Sequence, residues 1–245
     1  MDEKVFTVMT YNVANGLAYP RRLIPLIQSS QADIIGLQEL AAVQAQAIEE
    51  QLFHEYPYQA LFPGIFWGKG LISRYPITDV EQLFLFPGRP DLRGTIDIDG
   101  CLLTMLVAHP PPPRPNLNGI HFAPKAIEQI EILVKTAASN PPAILMGDFN
   151  MTYRHAVYTH ISASGLADAF DCIGEGKGHT LPVRVGPWRR MKLLNRALRW
   201  VPLLPLARVD YIWHTPQLVS QEVWVGEDGG SDHLPVLARF SYVET

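Results

Sequence analysis

Short strand-like runs recur from one end of the chain to the other, and this recurrence limits the fold more than any other feature. Residues 5–12 alternate Val, Thr and Met around aromatics, and 33–38 make a short apolar run. Similar runs occupy 70–74, 101–109, 143–147, 208–214, 219–225 and 234–240. Helical patterns fall between some of them. Residues 21–29 follow Pro20, a good first-turn residue, and 40–53 are rich in Ala, Gln and Glu. Residues 124–138 carry Ile127, Ile130 and Val134 at helical spacing. The mixture predicts an α/β (α+β) sandwich rather than an all-α or all-β domain. A chain of 245 residues, 47% of them hydrophobic, buries a full core. That excludes a peptide hormone, a disulfide-stapled mini-domain and a disordered tail. No repeat and no Gly/Ser-biased linker interrupts it, so one domain over 1–245 is expected.

No apolar run approaches the roughly 18 residues that span a bilayer. Met1-Asp2-Glu3-Lys4 lacks the positive, then apolar, pattern of a secretory leader, so the expected location is cytoplasmic. Cys101 and Cys172 cannot build a disulfide framework or a four-cysteine zinc site, and read as core thiols in a reducing compartment. The net charge of −4 conceals an asymmetry. Between 176 and 209 stand Lys177, Arg184, Arg189, Arg190, Lys192, Arg196, Arg199 and Arg208 without a single Asp or Glu. The same stretch holds Trp188, Trp200 and the apolar run 201–207. It reads either as a solvated face with snorkelling Arg stems or as a patch for a polyanion or an anionic membrane.

The chemistry-bearing residues cluster at strand ends. Asn12 ends the first run, Gln38-Glu39 the second, and His109 the run 101–109. Gly147-Asp148-Phe149-Asn150 ends another, Asp210 lies in Arg208-Val209-Asp210-Tyr211, and Ser231-Asp232-His233 opens the last. Strand ends share one rim of a sandwich, so residues distant in sequence converge there. Carboxylates and amides of this kind suit a hard divalent cation with oxygen ligands, and supply a base for a water nucleophile. Zinc is disfavoured because no paired His/Cys spacing appears, and His54-Glu55 lacks the second histidine of a zinc-protease helix. Gly64, Gly68 and Gly70 read as turn glycines rather than a phosphate cradle, since no helix N-terminus follows them.

Six motifs taken together resemble the endonuclease/exonuclease/phosphatase superfamily. They are Thr10-Tyr11-Asn12-Val13, Leu37-Gln38-Glu39, Ser73-Arg74-Tyr75-Pro76-Ile77, Gly147-Asp148-Phe149-Asn150, Arg208-Val209-Asp210-Tyr211-Ile212 and Ser231-Asp232-His233-Leu234-Pro235-Val236. The resemblance implies a four-layer sandwich of two packed mixed β-sheets flanked by helices, and a metal-dependent phosphoester hydrolase. It makes Glu39 the principal Mg²⁺ ligand, with Mn²⁺ as a substitute metal, places Asp232 in the metal shell, and has Asn12 hold the metal shell or the scissile phosphate. It makes Asp148 the residue that orients or deprotonates the attacking water, and Asn150 the one that fixes the phosphate beside it. His233 would bind the phosphate, Asp210 would hold that imidazole, and His109 would stand near the leaving group. Arg74 is expected to support the fold, and Arg93 to reach a phosphate.

Such a family defines a chemistry rather than a substrate. The expected partner is a phosphoester, either nucleic acid or an anionic lipid head group; no obligate protein partner is implied. For nucleic acid, Arg189, Arg190 and Lys192 would follow the phosphate backbone while Trp188 stacks on a base. For a phospholipid or inositol phosphate, the same stretch would make a peripheral membrane contact. A third alternative is an inactive binding module on the same scaffold, which normally shows a lost ligand.

Overall fold

The computed structural model describes residues 4–116, 119–184 and 203–243; Trp188, Arg189, Arg190, Lys192 and Trp200 lie outside them. The chain begins with β1 (Val5–Asn12), α1 (Pro20–Ser30), β2 (Ile34–Gln38), α2 (Ala42–Leu52), β3 (Tyr58–Phe62) and β4 (Lys69–Ser73). It continues through β5 (Ile77–Phe86), β6 (Arg89–Ile98), β7 (Cys101–Ala108), β8 (Arg114–Asn116), β9 (Gly119–His121), α3 (Pro124–Ser139) and β10 (Ala143–Asp148). Then come α4 (Ala156–Ala163), β11 (Ala167–Asp168), α5 (Ala169–Ile173), β12 (Asp210–His214), β13 (Leu218–Val225) and β14 (Val236–Tyr242).

Among the described residues, the strands make two six-stranded sheets, ordered β13-β14-β1-β2-β4-β3 and β11-β12-β10-β7-β6-β5, and a ribbon of β8 and β9. Each large sheet has one parallel pair, β1 with β2 and β7 with β10, flanked by antiparallel neighbours. Central strands buried on both faces read as continuous apolar runs, which is why β1, β2, β4 and β10 were visible in the sequence.

Three apolar cores separate four layers. Val8, Ile34, Leu71, Ile96, Val107 and Met146 fill the space between the sheets. Leu23, Ile27, Ile48 and Leu52 of α1 and α2 pack on Met9, Ile35 and Leu37. Ala126, Ile130, Leu133 and Ala137, the apolar stripe of α3, cover Leu106, Leu145 and Trp213 of the second sheet. The order is therefore helix, sheet, sheet, helix. The sheets meet tightly at Gly36, where a Cβ would lie 2.4 Å from the Met146 methyl carbon, so the second sheet fills the space a side chain would take.

Some sequence expectations change. Cys172 is exposed and Cys101 half-buried, so neither is a core thiol. The long β5–β6 hairpin was not anticipated. Arg74 supports the fold as expected, with ion pairs to Asp33 (3.3 Å) and Glu55 (2.8 Å). Two members of the basic stretch are structural. Buried Arg208 pairs with Asp168 at 2.6 Å, and buried Arg184 pairs with Asp228 while its Nε donates to the Ser231 carbonyl at 2.6 Å. Their charges are spent inside the protein, and of the eight basic residues only Lys177 is exposed in the described part. No helix among the described residues is long and apolar enough to cross a membrane.

Candidate functional site

The topology delivers the strand ends to one rim. Parallel β1 and β2 bring Asn12 beside Gln38, with Glu39 next along the chain. Parallel β7 and β10 place His109 and Asp148 at the corresponding end of the second sheet. Antiparallel β12 starts where β10 ends, so Asp210 stands opposite Asp148. Antiparallel β14 starts beside the end of β1, with Thr10 opposite Val236, and the preceding Ser231-Asp232-His233 turn reaches the same rim.

Local backbone shape then aims the side chains. Glu39 (φ 53°) and Asn150 (φ 52°) both take the left-handed conformation just after a strand, an uncommon choice for non-glycine residues that turns them out of the ladder. At Gly147 (φ 149°) a Cβ would sit 1.9 Å from the Ala108 carbonyl oxygen, so only glycine allows β10 to lie this close to β7. Ser231 clips its turn to β1: its hydroxyl donates to the Asn12 carbonyl (2.6 Å) and accepts from the His233 amide (3.1 Å).

The groups meet at short range. Asp148 accepts from the Asn12 side-chain amide (Nδ2, 3.0 Å) on one oxygen and from the Asn150 backbone amide (2.8 Å) on the other. Asn150 Nδ2 donates to the Pro110 carbonyl (3.1 Å), tying the proline run after His109 to the rim. His233 Nδ1 lies 2.9 Å from Asp210 Oδ2, and its Nε2 lies 3.7 Å from Asp148 Oδ2. His109 Nε2 is 3.5 Å from Asp148 and 3.8 Å from Glu39. Asn12, Glu39, His109, Asp148, Asn150, Asp210, Asp232 and His233 thus share one neighbourhood. Arg93 does not join them; it faces Glu81 across the β5–β6 ladder at 4.0 Å.

The electrostatics divide the residues into two kinds. Burial disfavours charge on His233, but the surrounding Asp210, Asp148 and Asp232 outweigh it and push the imidazole up to about 10. His233 is therefore a cationic donor. Burial holds His109 well below the usual imidazole range, reinforced by Lys69, Arg89 and His233, so its ring is neutral. Burial, then repulsion from Asp232 and Asp148, lifts Glu39 to about 7. Burial lifts Asp148 to about 6 despite the nearby His233 cation.

These values bear on which residues fit a cation. Asp148, Asp210 and His233 bring ligand-capable atoms within 4.8 Å of one another. His233 is protonated and bound to Asp210, however, and a cationic imidazole ligates no metal. The oxygen donors Glu39 and Asp232, whose charges repel each other, are the pair that a divalent ion would relieve. Asn12 borders both Glu39 and Asp148. The donor set fits a hard cation.

Sequence reasoning missed the support behind His109. Asp91 is buried, accepts the His109 backbone amide (3.1 Å) and the Gln129 side chain (2.7 Å), and so fastens β6, β7 and α3 together. Buried Lys69, held down to about 8 by desolvation, donates to the Trp67 carbonyl at 3.1 Å and adds positive potential near this group. Neither residue belongs to a motif, and a lone Asp in Arg89-Pro90-Asp91 reads as a turn.

Residues 9–233 match the model of the Endonuclease/Exonuclease/phosphatase family. No curated protein sequence matches the chain. Solved structures with the same architecture include an endonuclease/exonuclease/phosphatase from Bacteroides vulgatus, 18% identical, with a TM-score of 0.73 over 98% of this chain and 100% of that one. Another is D. rerio TDP2 complexed with single-strand DNA product, 16% identical, with a TM-score of 0.71 over 97% and 99% of the two chains. At these identities the likeness concerns the fold.

Proposed function

The chain belongs to the endonuclease/exonuclease/phosphatase family, and from that membership and the rim geometry we propose that it is a metal-dependent phosphoester hydrolase, specifically a phosphodiesterase of nucleic acid. One observation carries the reading: a cationic imidazole oriented by Asp210 at 2.9 Å faces a carboxylate, Asp148, whose pKa of about 6 suits a base at neutral pH.

A phosphodiester is an anion that repels hydroxide, so fixed positive groups must meet it first. Bound by Glu39 and Asp232 with Asn12 beside them, Mg²⁺, or Mn²⁺ in its place, would polarise the phosphoryl oxygen as a Lewis acid. The protein's own groups do the rest. Asp148, held on both oxygens by Asn12 and Asn150, takes the proton of the attacking water. His233 donates from Nε2 to the phosphoryl oxygen as its charge grows, while Asp210 keeps the ring oriented and protonated. Asn150 steadies the phosphate beside Asp148. As the water oxygen bonds to phosphorus, the P–O bond to the leaving oxygen breaks; neutral His109 offers that oxygen an N–H hydrogen bond, and solvent supplies the proton it takes up.

The test is Mg²⁺-dependent release of p-nitrophenolate from bis(p-nitrophenyl) phosphate. His233→Ala is expected to lose about 10²-fold or more in rate, the usual cost of a donor to developing charge. Equal rates for both proteins would leave an inactive binding module. A lipid reading has one observation in its favour: Leu204 and Leu206, just beyond the undescribed part of the basic stretch, are 82% and 73% exposed. Assaying plasmid DNA, RNA, inositol phosphates and phospholipid vesicles side by side decides between the two. Faster hydrolysis of vesicles than of nucleic acid would favour the lipid reading.

A further inference from the structure

A cavity of about 590 Å³ opens beside the rim, lined by Tyr153, Arg154, Lys177, His179 and Leu206 over a floor of Phe170 and Arg208. None of the exposed members belongs to the motifs above. The cavity is nevertheless joined to the site by the chain itself. Thr152, on its wall, is two residues past Asn150, and Arg208, on its floor, is two residues before Asp210. Two residues of extended chain span at most about 7 Å, so the cavity begins within one side-chain length of the catalytic groups.

Its walls are of two chemical kinds. Tyr153 is 51% exposed and Leu206 73%, giving a flat aromatic and an aliphatic surface in one concavity. Arg154 lies over the Tyr153 ring, its guanidinium 5.5 Å from the centroid and its Nε donating to the Tyr153 hydroxyl at 3.3 Å, and Lys177 lines the same cavity, exposed. Arg208 contributes no free charge because Asp168 neutralises it; among the described lining residues Asp171 is the one acid against Arg154 and Lys177. His179 spends Nδ1 on the Pro205 carbonyl at 3.0 Å, so Nε2 is the ring nitrogen left to meet a ligand. An aromatic face, two cations and a ring nitrogen match a nucleoside with its phosphate: the base ring stacks, the phosphate meets the cations, and the polar edge of the base meets His179. The volume lies within the range of small-ligand sites.

We infer that this cavity is a nucleotide subsite, holding the unpaired nucleoside and phosphate next to the scissile phosphoester of a single-stranded polynucleotide. The inference rests on the phosphodiesterase reading and adds the substrate form. A base inside a duplex has both faces stacked on its neighbours and presents none to Tyr153, so single strands should bind better than duplex.

The test is fluorescence anisotropy of a 5′-labelled oligothymidylate in EDTA, where turnover is absent. Arg154→Ala combined with Lys177→Ala is expected to weaken binding about tenfold or more. It should also reduce the slope of log affinity against log salt by about 0.7, the share of the one phosphate the cavity holds. Tyr153→Leu should weaken binding about tenfold with the salt slope unchanged. Arg239→Ala, removing an exposed cation paired with Glu222 on the other sheet, should bind like wild type. Wild-type affinity in both cavity variants would overturn the subsite, as would preference for duplex or for phosphatidylserine vesicles over the oligonucleotide. Hydrolysis of bis(p-nitrophenyl) phosphate by the wild type separates the two readings. Turnover with unaltered oligonucleotide binding in the cavity variants removes the subsite alone, whereas absence of turnover removes the catalytic reading beneath it.

Discussion

Asp148 and Asp210 are the same residue type, directly opposite each other on neighbouring strands, yet they do different work. Asp210 Oδ2 is committed to His233 Nδ1 at 2.9 Å, whereas Asp148 is held by two amide donors and turned toward the shared space. The difference gives a prediction at the scale of one atom. Asp210→Asn keeps the shape and removes the charge that does most to sustain the imidazolium. Burial then pulls His233 down from about 10 toward or below its ordinary value near 6.5. In a pH–rate profile, the wild-type activity that requires His233⁺ should persist into the alkaline range. The variant's alkaline limb should move acidward by more than a unit, with the rate at pH 8 lowered about 10²-fold. A limb that stays in place would mean that Asp210 does not control this proton. The oriented pair is legible in the motifs themselves; the opposite character of the two aspartates is not, because it depends on which oxygen each donor occupies.

At the level of strands and helices, the site depends on how closely β10 lies against β7. Gly147→Ala would place its Cβ inside contact distance of the Ala108 carbonyl and would also sit in a positive-φ conformation. Its expected cost is about 3 kcal/mol or more in urea unfolding, at the upper end for a single substitution. Activity should fall further than stability, since the strand that must shift carries Asp148. A stable, fully active Gly147→Ala protein would contradict the packing. Elements of this kind divide sharply in legibility. The central strands announce themselves because both faces are buried, and each functional motif is attached to the end of one. The hairpin of β5 and β6 does not: no residue of β5 is buried, and Pro90, Asp91, Arg93 and Gly94 interrupt the apolar pattern of β6. That hairpin carries Asp91, so the support of His109 was hidden with it. The basic stretch misleads for another reason. Formal charge says nothing of partners, and Asp168 and Asp228, which neutralise Arg208 and Arg184, are remote in sequence.

Over the whole molecule, the rim stores electrostatic repulsion that a cation would relieve, and this couples stability to pH. Glu39 and Asp148 are raised to about 7 and 6, above the values near 4 expected in the unfolded chain. The folded state therefore keeps protons that the unfolded chain has already lost. The stability linked to them is present below pH 4 and disappears as pH rises through 6 and 7. His233, raised to about 10, has the same sign: its contribution is present below about pH 6.5 and is lost as pH approaches 10. In EDTA, this rim should therefore make the melting temperature fall between pH 5 and pH 8. A divalent ion reverses the balance because it binds the ionised carboxylates and displaces their protons. At a Mg²⁺ concentration ten times its dissociation constant, binding adds about 1.4 kcal/mol. For a chain of this size that is a rise of about 3–6 °C at pH 8. At pH 5, where Glu39 is protonated, the rise should be small. Glu39→Gln should flatten the fall between pH 5 and pH 8 and remove most of the Mg²⁺ response, because it takes away the group that connects them. Differential scanning fluorimetry across this range measures both effects. An equal Mg²⁺ shift at pH 5 and pH 8, or an undiminished shift in Glu39→Gln, would place the metal elsewhere than on this carboxylate.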